Sequence, residues 1–214
     1  MRTITVKGVG TASTPPDYIT VFLNITAESP EYSAALSRAN ERIETLQNAV
    51  AVVGFKKEDL KTLSYDVRSV FENYNENGVY KQRPVGYACR YQLKLSFGFD
   101  NKRLAETLDA VSQSSADAEF SIKFTVKDPE KVSAELLKSA AENARQKAET
   151  LCAASGVRLG ELVNISYNWG EICFDSASSY SKHERGITPL AAAPEFTPDD
   201  IKSSDSATFV WEIM

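Results

Sequence analysis

Apolar and polar residues alternate through several segments of the chain, which is the pattern of β-strands with one buried face. The longest alternation runs from Tyr87 to Phe99. Shorter segments repeat it at Ile4 and Val6; Ile19, Val21, Leu23 and Ile25; Leu63, Tyr65 and Val67; Phe120, Ile122, Phe124 and Val126; Val163, Ile165, Tyr167 and Trp169; and Phe209, Trp211 and Ile213. About seven strands of this kind predict a mostly antiparallel or mixed sheet.

A period of three to four residues predicts three helices between these strands. The first begins at the cap signal Ser29–Glu31 and ends at Gly54, and the third begins at Asp128–Glu130 and ends at Gly156. A shorter helix follows Asp100. The predicted buried stripes are Tyr32, Leu36, Ala39, Ile43, Leu46, Val50 and Val53; Leu104, Leu108 and Val111; and Leu137, Ala141, Ala144, Ala148 and Leu151. The fold class is therefore α+β, with two long helices and one short helix packed on the sheet.

The two long helices belong to an internal repeat. Gly54 and Gly156 each close a long helix, and each is followed eleven residues later by a tyrosine, with leucine and serine in register between them. A strand–helix–strand unit thus recurs at about residues 17–72 and 118–170. The repeat predicts two similar halves that share one core within a single domain of residues 1–214.

Two segments depart from these regular patterns. The Asn73–Gly78 segment contains an Asn-Gly pair between two alternating strands and predicts a projecting hairpin. Residues 170–206 are rich in Ser, Ala and Pro, and we expect an irregular excursion that serves assembly or partner contact. Since so little apolar surface is available there, we expect the excursion to be dispensable for folding.

Composition and charge narrow the classes of partner and compartment. A net charge of -5 argues against nucleic acid and anionic membrane surfaces, and no apolar run approaches the length of a membrane-spanning helix. Three cysteines without a Cys-x-x-Cys pair, Cys89, Cys152 and Cys173, predict free thiols. The strand pattern at the first residues favours a cytoplasmic protein, whereas a chain from which a leader has been removed would be exported.

Residues that could carry chemistry are few. The single histidine, His183, lies in the Ser-rich stretch, where a solvated loop side chain is favoured over a general base. The glycine pair of Gly8–Gly10 lacks the rest of a phosphate-binding loop and is more simply a bulge or a turn. The carboxylates Asp199, Asp200 and Asp205 lack the spacing of a calcium loop. We therefore expect no catalytic residue, no metal site and no cofactor.

Aromatic residues instead predict a protein interface. Tyr74, Tyr80 and Tyr87 cluster around the hairpin with little basic charge beside them, which is unlike a platform for stacking nucleic-acid bases. Phe174 and Tyr180 lie in the irregular excursion. We expect these five residues to contact another copy of the chain or another protein.

Several short motifs follow one another along nearly the whole chain. They are Val6–Gly10 with Pro16-Asp17, Gly54-Phe55 with Asp59–Thr62, Gly86-Tyr87, Leu108–Ala110, Phe124–Glu130, Ala144–Glu149 and Ala154–Gly160. Together they resemble the SIMPL-domain family. The resemblance implies an α+β fold, assembly into homo-oligomers and no established enzymatic activity. It also implies a link to oxidative-stress defence or to immunogenic envelope proteins among bacterial members.

Three functions follow as hypotheses. The first is a non-enzymatic homo-oligomeric assembly or protein-interaction module with a role in stress, whose partner is the chain itself or another protein. The second is an enzyme or small-ligand binder whose site forms between subunits. The third is a thiol redox sensor that depends on Cys173.

Overall fold

Strands dominate the structure, a computed structural model that describes residues 2–76, 78–168, 170, 172–182 and 195–214. Within these ranges the chain forms eight strands: β1 (Thr3–Thr14), β2 (Tyr18–Ser29), β3 (Leu60–Glu76), β4 (Val79–Gly98), β5 (Glu119–Thr125), β6 (Leu159–Ser166), β7 (Asp175–Lys182) and β8 (Ile201–Ile213). The helices are α1 (Tyr32–Val52), α2 (Asn101–Gln113) and α3 (Pro129–Ala154), with a 3-10 turn at Lys57–Asp59. The predicted α+β fold class is confirmed.

The described strands form two sheets. The five-stranded sheet has the order β3-β4-β2-β5-β7, and the three-stranded sheet has the order β1-β8-β6. Neighbouring strands run antiparallel in the pairs β1–β8, β2–β4, β3–β4 and β6–β8. The chain divides into two compact units: unit 1 comprises residues 1–17, 125–177 and 198–214, and unit 2 comprises residues 18–124 and 178–197.

The core of unit 2 lies between the five-stranded sheet and the helices α1 and α2. Alternate residues of β2, β4 and β5 point into it, as the period of two requires. Its fully buried members include Ile19, Val21, Leu23, Ile25, Leu46, Val50, Leu93, Leu95, Leu104, Leu108, Ile122 and Phe124. Phe196, which lies in the Ser- and Pro-rich segment, belongs to the same core.

In unit 1, α3 packs very closely on β1 and β8. A Cβ atom on Gly8 would lie 2.0 Å from the Ala140 carbonyl oxygen, and one on Gly10 would lie 1.9 Å from that of Leu136. The helix presents small residues such as Ala144 to the sheet, as predicted. The rest of the predicted stripe is only partly right, because Leu151 is 51% exposed and the buried face includes Leu136 and Ala140 instead. The glycine pair therefore lies within β1 and permits close helix packing, so the expected bulge or turn is wrong.

The two long helices differ in how well their starts were predicted. Asp128 caps α3, because its Oδ1 accepts a hydrogen bond from the Lys131 N–H at 3.1 Å. Helix α1 begins later than predicted, at Tyr32, and its N-cap residue makes no side-chain cap bond. The reason is that β2 pairs with β4 as far as Ser29, so the chain has not yet left the sheet at the predicted cap. Tyr32, the first residue of the predicted stripe, is exposed.

The predicted repeat has the expected order of elements in both copies. The order is β2-α1-β3 in the first and β5-α3-β6 in the second, and the closing residues Gly54 and Gly156 both adopt positive φ. However, β2 and β3 lie in one sheet, whereas β5 and β6 lie in different sheets. The two copies therefore differ in how their strands pair, and the single domain of residues 1–214 stays a prediction.

The segment 170–206 is more regular than its composition predicted. It contains β7 and the beginning of β8, and both Phe196 and Ile201 are buried. The expectation that this segment is dispensable for folding is wrong at these positions, because a few widely spaced apolar side chains anchor it. Residues 183–194, which include His183, lie outside the described residues.

Candidate functional site

The outer part of the β3–β4 hairpin, residues 71–84, extends beyond the core, and we call it the arm. The described residues of the arm contribute no member to the buried clusters. Pairing continues outward to Glu76 opposite Val79, and the N–H of Gly78 donates a hydrogen bond to Asn75 Oδ1 at 2.9 Å. Gly78 has a φ of +82°, which suits a tight turn. The hairpin predicted at Asn73–Gly78 is confirmed.

A β-bulge separates the arm from the rest of the hairpin. Val70 pairs with Gly86 but Phe71 pairs with Pro84, so Val85 is the extra residue. Gly86 has a φ of +157°, and a Cβ atom there would lie 2.5 Å from the backbone oxygen of Ser29. The extra residue reverses the alternation of side chains along β4. In the arm the even-numbered side chains of β4 therefore lie on the face that the odd-numbered side chains occupy after Gly86.

The arm has one charged face, which is satisfied by its own contacts. The Arg83 guanidinium lies 2.8 Å from the Glu72 carboxylate and 5.6 Å from the ring centre of Tyr74. Lys81 pairs with Glu76 across the two strands. Exposed pairs of this kind contribute little stability each, but together they hold the two strands in register.

The opposite face of the arm carries no charge. Its cross-strand pairs are Phe71 with Pro84, Asn73 with Gln82, and Asn75 with Tyr80. Phe71 is 56% exposed and Tyr80 is 81% exposed, so a single chain leaves both rings accessible to solvent. We call these six residues the neutral face. It combines two aromatic rings with three amides, a composition typical of a protein interface and unlike a catalytic site.

The structure places the five predicted interface residues in different surroundings. Tyr80 lies on the neutral face, whereas Tyr74 lies beside Arg83 on the charged face. Tyr87 is half-buried and contacts Tyr32 edge to face, with ring centres 5.6 Å apart. Their role in an interface remains a prediction.

Phe174 and Tyr180, predicted as interface residues of the excursion, contribute to packing. Phe174 is half-buried against the cluster of Val126 and Ile201 in unit 1. In unit 2, Tyr180 contacts Phe196, with ring centres 4.7 Å apart. Neither residue belongs to the arm.

Phe71 was not among the predicted interface residues. The alternation of β3 contains a signal for it, because Phe71 follows Tyr65 and Val67 at even spacing on the same face. That Phe71 shares a face of the arm with Tyr80 depends on the bulge at Val85, which alternation alone does not reveal.

A second apolar surface lies on β6, an edge strand of the three-stranded sheet. Leu162, Val163, Ile165 and Tyr167 are 40 to 51% exposed, and we call them the β6 patch. The prediction that this strand buries one face is wrong. A helix about 10 Å wide covers about two strands spaced 4.8 Å apart, and α3 lies over β1 and β8. The Tyr167 hydroxyl donates to Asp205 Oδ2 at 2.8 Å, which raises the pKa of Tyr167.

A polar cleft of about 480 Å³ lies in unit 2. It is lined by parts of β2, β3 and β4, with side chains that include Glu28, Asp66, Arg90 and Glu119, and by Asp117, which lies 3.4 Å from the Arg42 guanidinium. Among the described residues that line it, none is a histidine, lysine or cysteine. Such a lining supplies carboxylates, amides, hydroxyl groups and one guanidinium as polar contacts.

The remaining residues that were considered as metal ligands do not form a cluster in the described part of the chain. In the parts of the chain that the structure describes, no three His, Cys, Asp or Glu residues come together as a metal site requires. The Asp200 carboxylate accepts a hydrogen bond from the Ser13 hydroxyl at 3.1 Å. None of the described helices is long and apolar enough to span a membrane.

The cysteines are unpaired and differ in their surroundings. Cys89 and Cys152 are buried, whereas Cys173 is exposed. Burial raises the pKa of the Cys89 thiol, and a hydrogen bond with Tyr65 partly offsets this effect. These positions agree with the predicted free thiols and leave Cys173 as the accessible one.

Comparison with known proteins gives the chain its family. The model of the SIMPL family, described as a protein of unknown function (DUF541), matches residues 4–211. The chain is also similar to the 26 kDa periplasmic immunogenic proteins of Brucella abortus (strain S19) and Brucella melitensis biotype 1, at 25% and 24% identity over 164 residues. These matches cover 76% of this chain and 65%, less than two thirds, of each relative. Since the family model matches nearly the entire chain, this protein belongs to the SIMPL family.

Proposed function

We propose that this protein is a non-enzymatic module that assembles with copies of itself, and that the arm is its assembly element. The observation that carries the proposal is the difference between the two faces of the arm. The charged face is satisfied internally, whereas the neutral face presents Phe71 and Tyr80 to solvent. An isolated two-stranded hairpin is marginally stable in water, so a partner that buries the neutral face would stabilise the arm.

The neutral face is a surface at which a second copy can bind despite its like charge. The chain carries a net charge of -5, so two copies carry the same net charge and repel each other overall. The neutral face contains no charged side chain. Burying it in a contact therefore does not carry the free-energy cost of removing an ion from water.

We propose further that the protein acts outside the cytoplasm. The two Brucella relatives are named as periplasmic proteins, which favours the exported alternative over the cytoplasmic expectation. A role in stress remains a prediction that rests on the resemblance alone.

A shortened arm tests the proposal. Replacing Glu72–Arg83 by Asn-Gly joins Phe71 to its direct partner Pro84 through a two-residue turn. The replacement removes two acids and two bases, so the net charge stays at -5. Light scattering coupled to size exclusion at micromolar concentration should give the parent a mass several times 23.6 kDa and the shortened variant a smaller mass.

The matched control is Val79→Ser, which removes an exposed apolar side chain from the charged face of the same arm. This variant should keep the parent mass, and circular dichroism should show an unchanged fold in both variants. A monomeric parent, or a shortened variant with the parent mass, would overturn the proposal.

A further inference from the structure

We infer that the arm of one copy docks on the β6 patch of a second copy, so that each contact joins two different surfaces of the same chain. The inference rests on the proposed function, because it names the surface that receives the arm. Both surfaces are exposed in the chain: Tyr80 on the arm at 81%, and Ile165 on the patch at 51%.

The two surfaces match in charge. The neutral face carries two aromatic rings, a proline and three amides. Residues 162–168 likewise contain no charged residue, and the patch offers three aliphatic side chains and one tyrosine. For two chains of net charge -5, a contact between two uncharged surfaces avoids both repulsion and the burial of unpaired ions.

The two surfaces also match in length. Phe71 and Asn75, the partner of Tyr80, are four residues apart on β3, which corresponds to about 13 Å of strand. A register shift makes Val163 an extra residue in β6, so the stretch from Leu162 to Tyr167 corresponds to about four strand residues, or about 13 Å. The two rings of the neutral face can therefore both lie on the patch at the same time.

Hydrogen bonding adds a second kind of match. In the described residues β6 pairs with β8 alone, so one edge of its backbone lacks a neighbouring strand. From Leu162 to Ser166 this strand contains no charged residue and no proline, so the part of the edge that adjoins the patch is open to polar partners. The amides of Asn73 and Gln82 can donate to and accept from such an edge.

Paired variants test this contact. Tyr80→Ser weakens the arm, and Ile165→Thr weakens the patch while keeping a residue that favours strands. At the concentration where the parent is half assembled, each variant alone should give the mass of one chain, because losing a central contact raises the dissociation constant about tenfold or more. An equimolar mixture should give a mass of two chains, because the arm of one variant and the patch of the other are intact.

The mixture tests whether the contact joins two different surfaces. In that case one intact arm and one intact patch remain, so two chains associate through a single contact. Val79→Ser and Leu151→Gln serve as controls; Leu151 is as exposed as Ile165 but lies on α3. Both controls should keep the parent mass. Leu162→Thr is a second patch variant should Ile165→Thr lose its circular dichroism signal.

The outcomes separate the inference from the proposed function. If Tyr80→Ser lowers the mass and neither patch variant does, the arm assembles the protein but docks elsewhere, and the inference is wrong. If the mixture stays at the mass of one chain, the arm and the patch do not meet, and the inference is again wrong. If Tyr80→Ser and the shortened arm both keep the parent mass, the proposed function is wrong as well.

Discussion

Two glycines determine how closely α3 can approach β1. At Gly8 and Gly10 the helix backbone occupies the space where a side chain would begin, and the Val9 N–H between them donates to Asn143 Oδ1 at 3.1 Å. The contact is therefore made by backbone atoms, the Ala144 methyl group and one amide side chain. Such a contact tolerates almost no added volume, since protein interiors are close-packed.

Gly10→Ala should destabilise the protein by about 1–3 kcal/mol or more, because the new Cβ atom would meet the Leu136 carbonyl oxygen and the helix would have to move. The free energy of unfolding is measured by urea denaturation. Gly98→Ala is the control, because a Cβ atom there meets nothing within 4 Å. Equal stabilities of the two variants would contradict the close approach.

The buried thiol of Cys89 makes stability depend on alkaline pH. Burial raises the pKa of this thiol in the folded protein above its usual value of 9.0, and burial likewise raises the pKa values of Tyr65 and Tyr91. As the pH rises through about 9, the thiol of the unfolded chain ionises first, so the folded state loses stability.

Urea midpoints measured from pH 7 to pH 10 should therefore fall more steeply for the parent than for Cys89→Ala, which lacks the thiol.

Maleimide labelling at pH 7 offers an independent measurement. Only Cys173 should react while the protein is folded, because Cys89 and Cys152 are buried. Parallel pH profiles, or rapid labelling of all three thiols, would contradict the assigned burial.

At the scale of elements, periodicity predicted the helices, the hairpin and most strands, because each of these features is encoded locally. It did not predict which sheet a strand joins, and β5 and β6 have similar patterns but different sheets. It missed β7 because Ser-rich strands do not alternate in hydrophobicity. For the candidate site, Tyr80 was predictable from exposed aromatic composition, whereas its pairing face depends on the bulge at Val85.

Substitution of one phenylalanine in the excursion and one in the arm compares how much each segment contributes to stability. Phe196→Ala should destabilise unit 2 by about 3–5 kcal/mol, because the ring is buried and contacts Phe124 and Tyr180. In the unassembled chain Phe71→Ala should change stability by less than about 0.5 kcal/mol, since the ring is exposed and packs on no core cluster. Thermal unfolding of the two variants, followed by circular dichroism, measures the difference. Similar losses would mean that the arm contributes to the fold.

At the scale of the whole molecule, the chain passes between the two units four times. Unit 1 is built from three separate segments, and the first two are connected only through residues 18–124. While unit 2 is folded, this connection has little freedom. Once unit 2 unfolds, the same connection becomes a flexible loop of about a hundred residues, whose closure costs about 4 kcal/mol. That cost is comparable to the stability of a small domain.

The protein should therefore unfold in a single transition, as the predicted single domain of residues 1–214 requires. Trp211 is buried in unit 1, so the fluorescence of its indole ring reports on that unit. Leu23→Ala removes a fully buried side chain from unit 2 and should lower its stability by about 2–5 kcal/mol.

If the two units are coupled, the midpoint of the fluorescence transition should fall by the same amount as that of far-ultraviolet circular dichroism. The measurement is best made in the shortened-arm background, where assembly does not add its own stability. A fluorescence midpoint that stays at the parent value while the circular dichroism midpoint falls would show that unit 1 unfolds independently, and the chain would then consist of two domains.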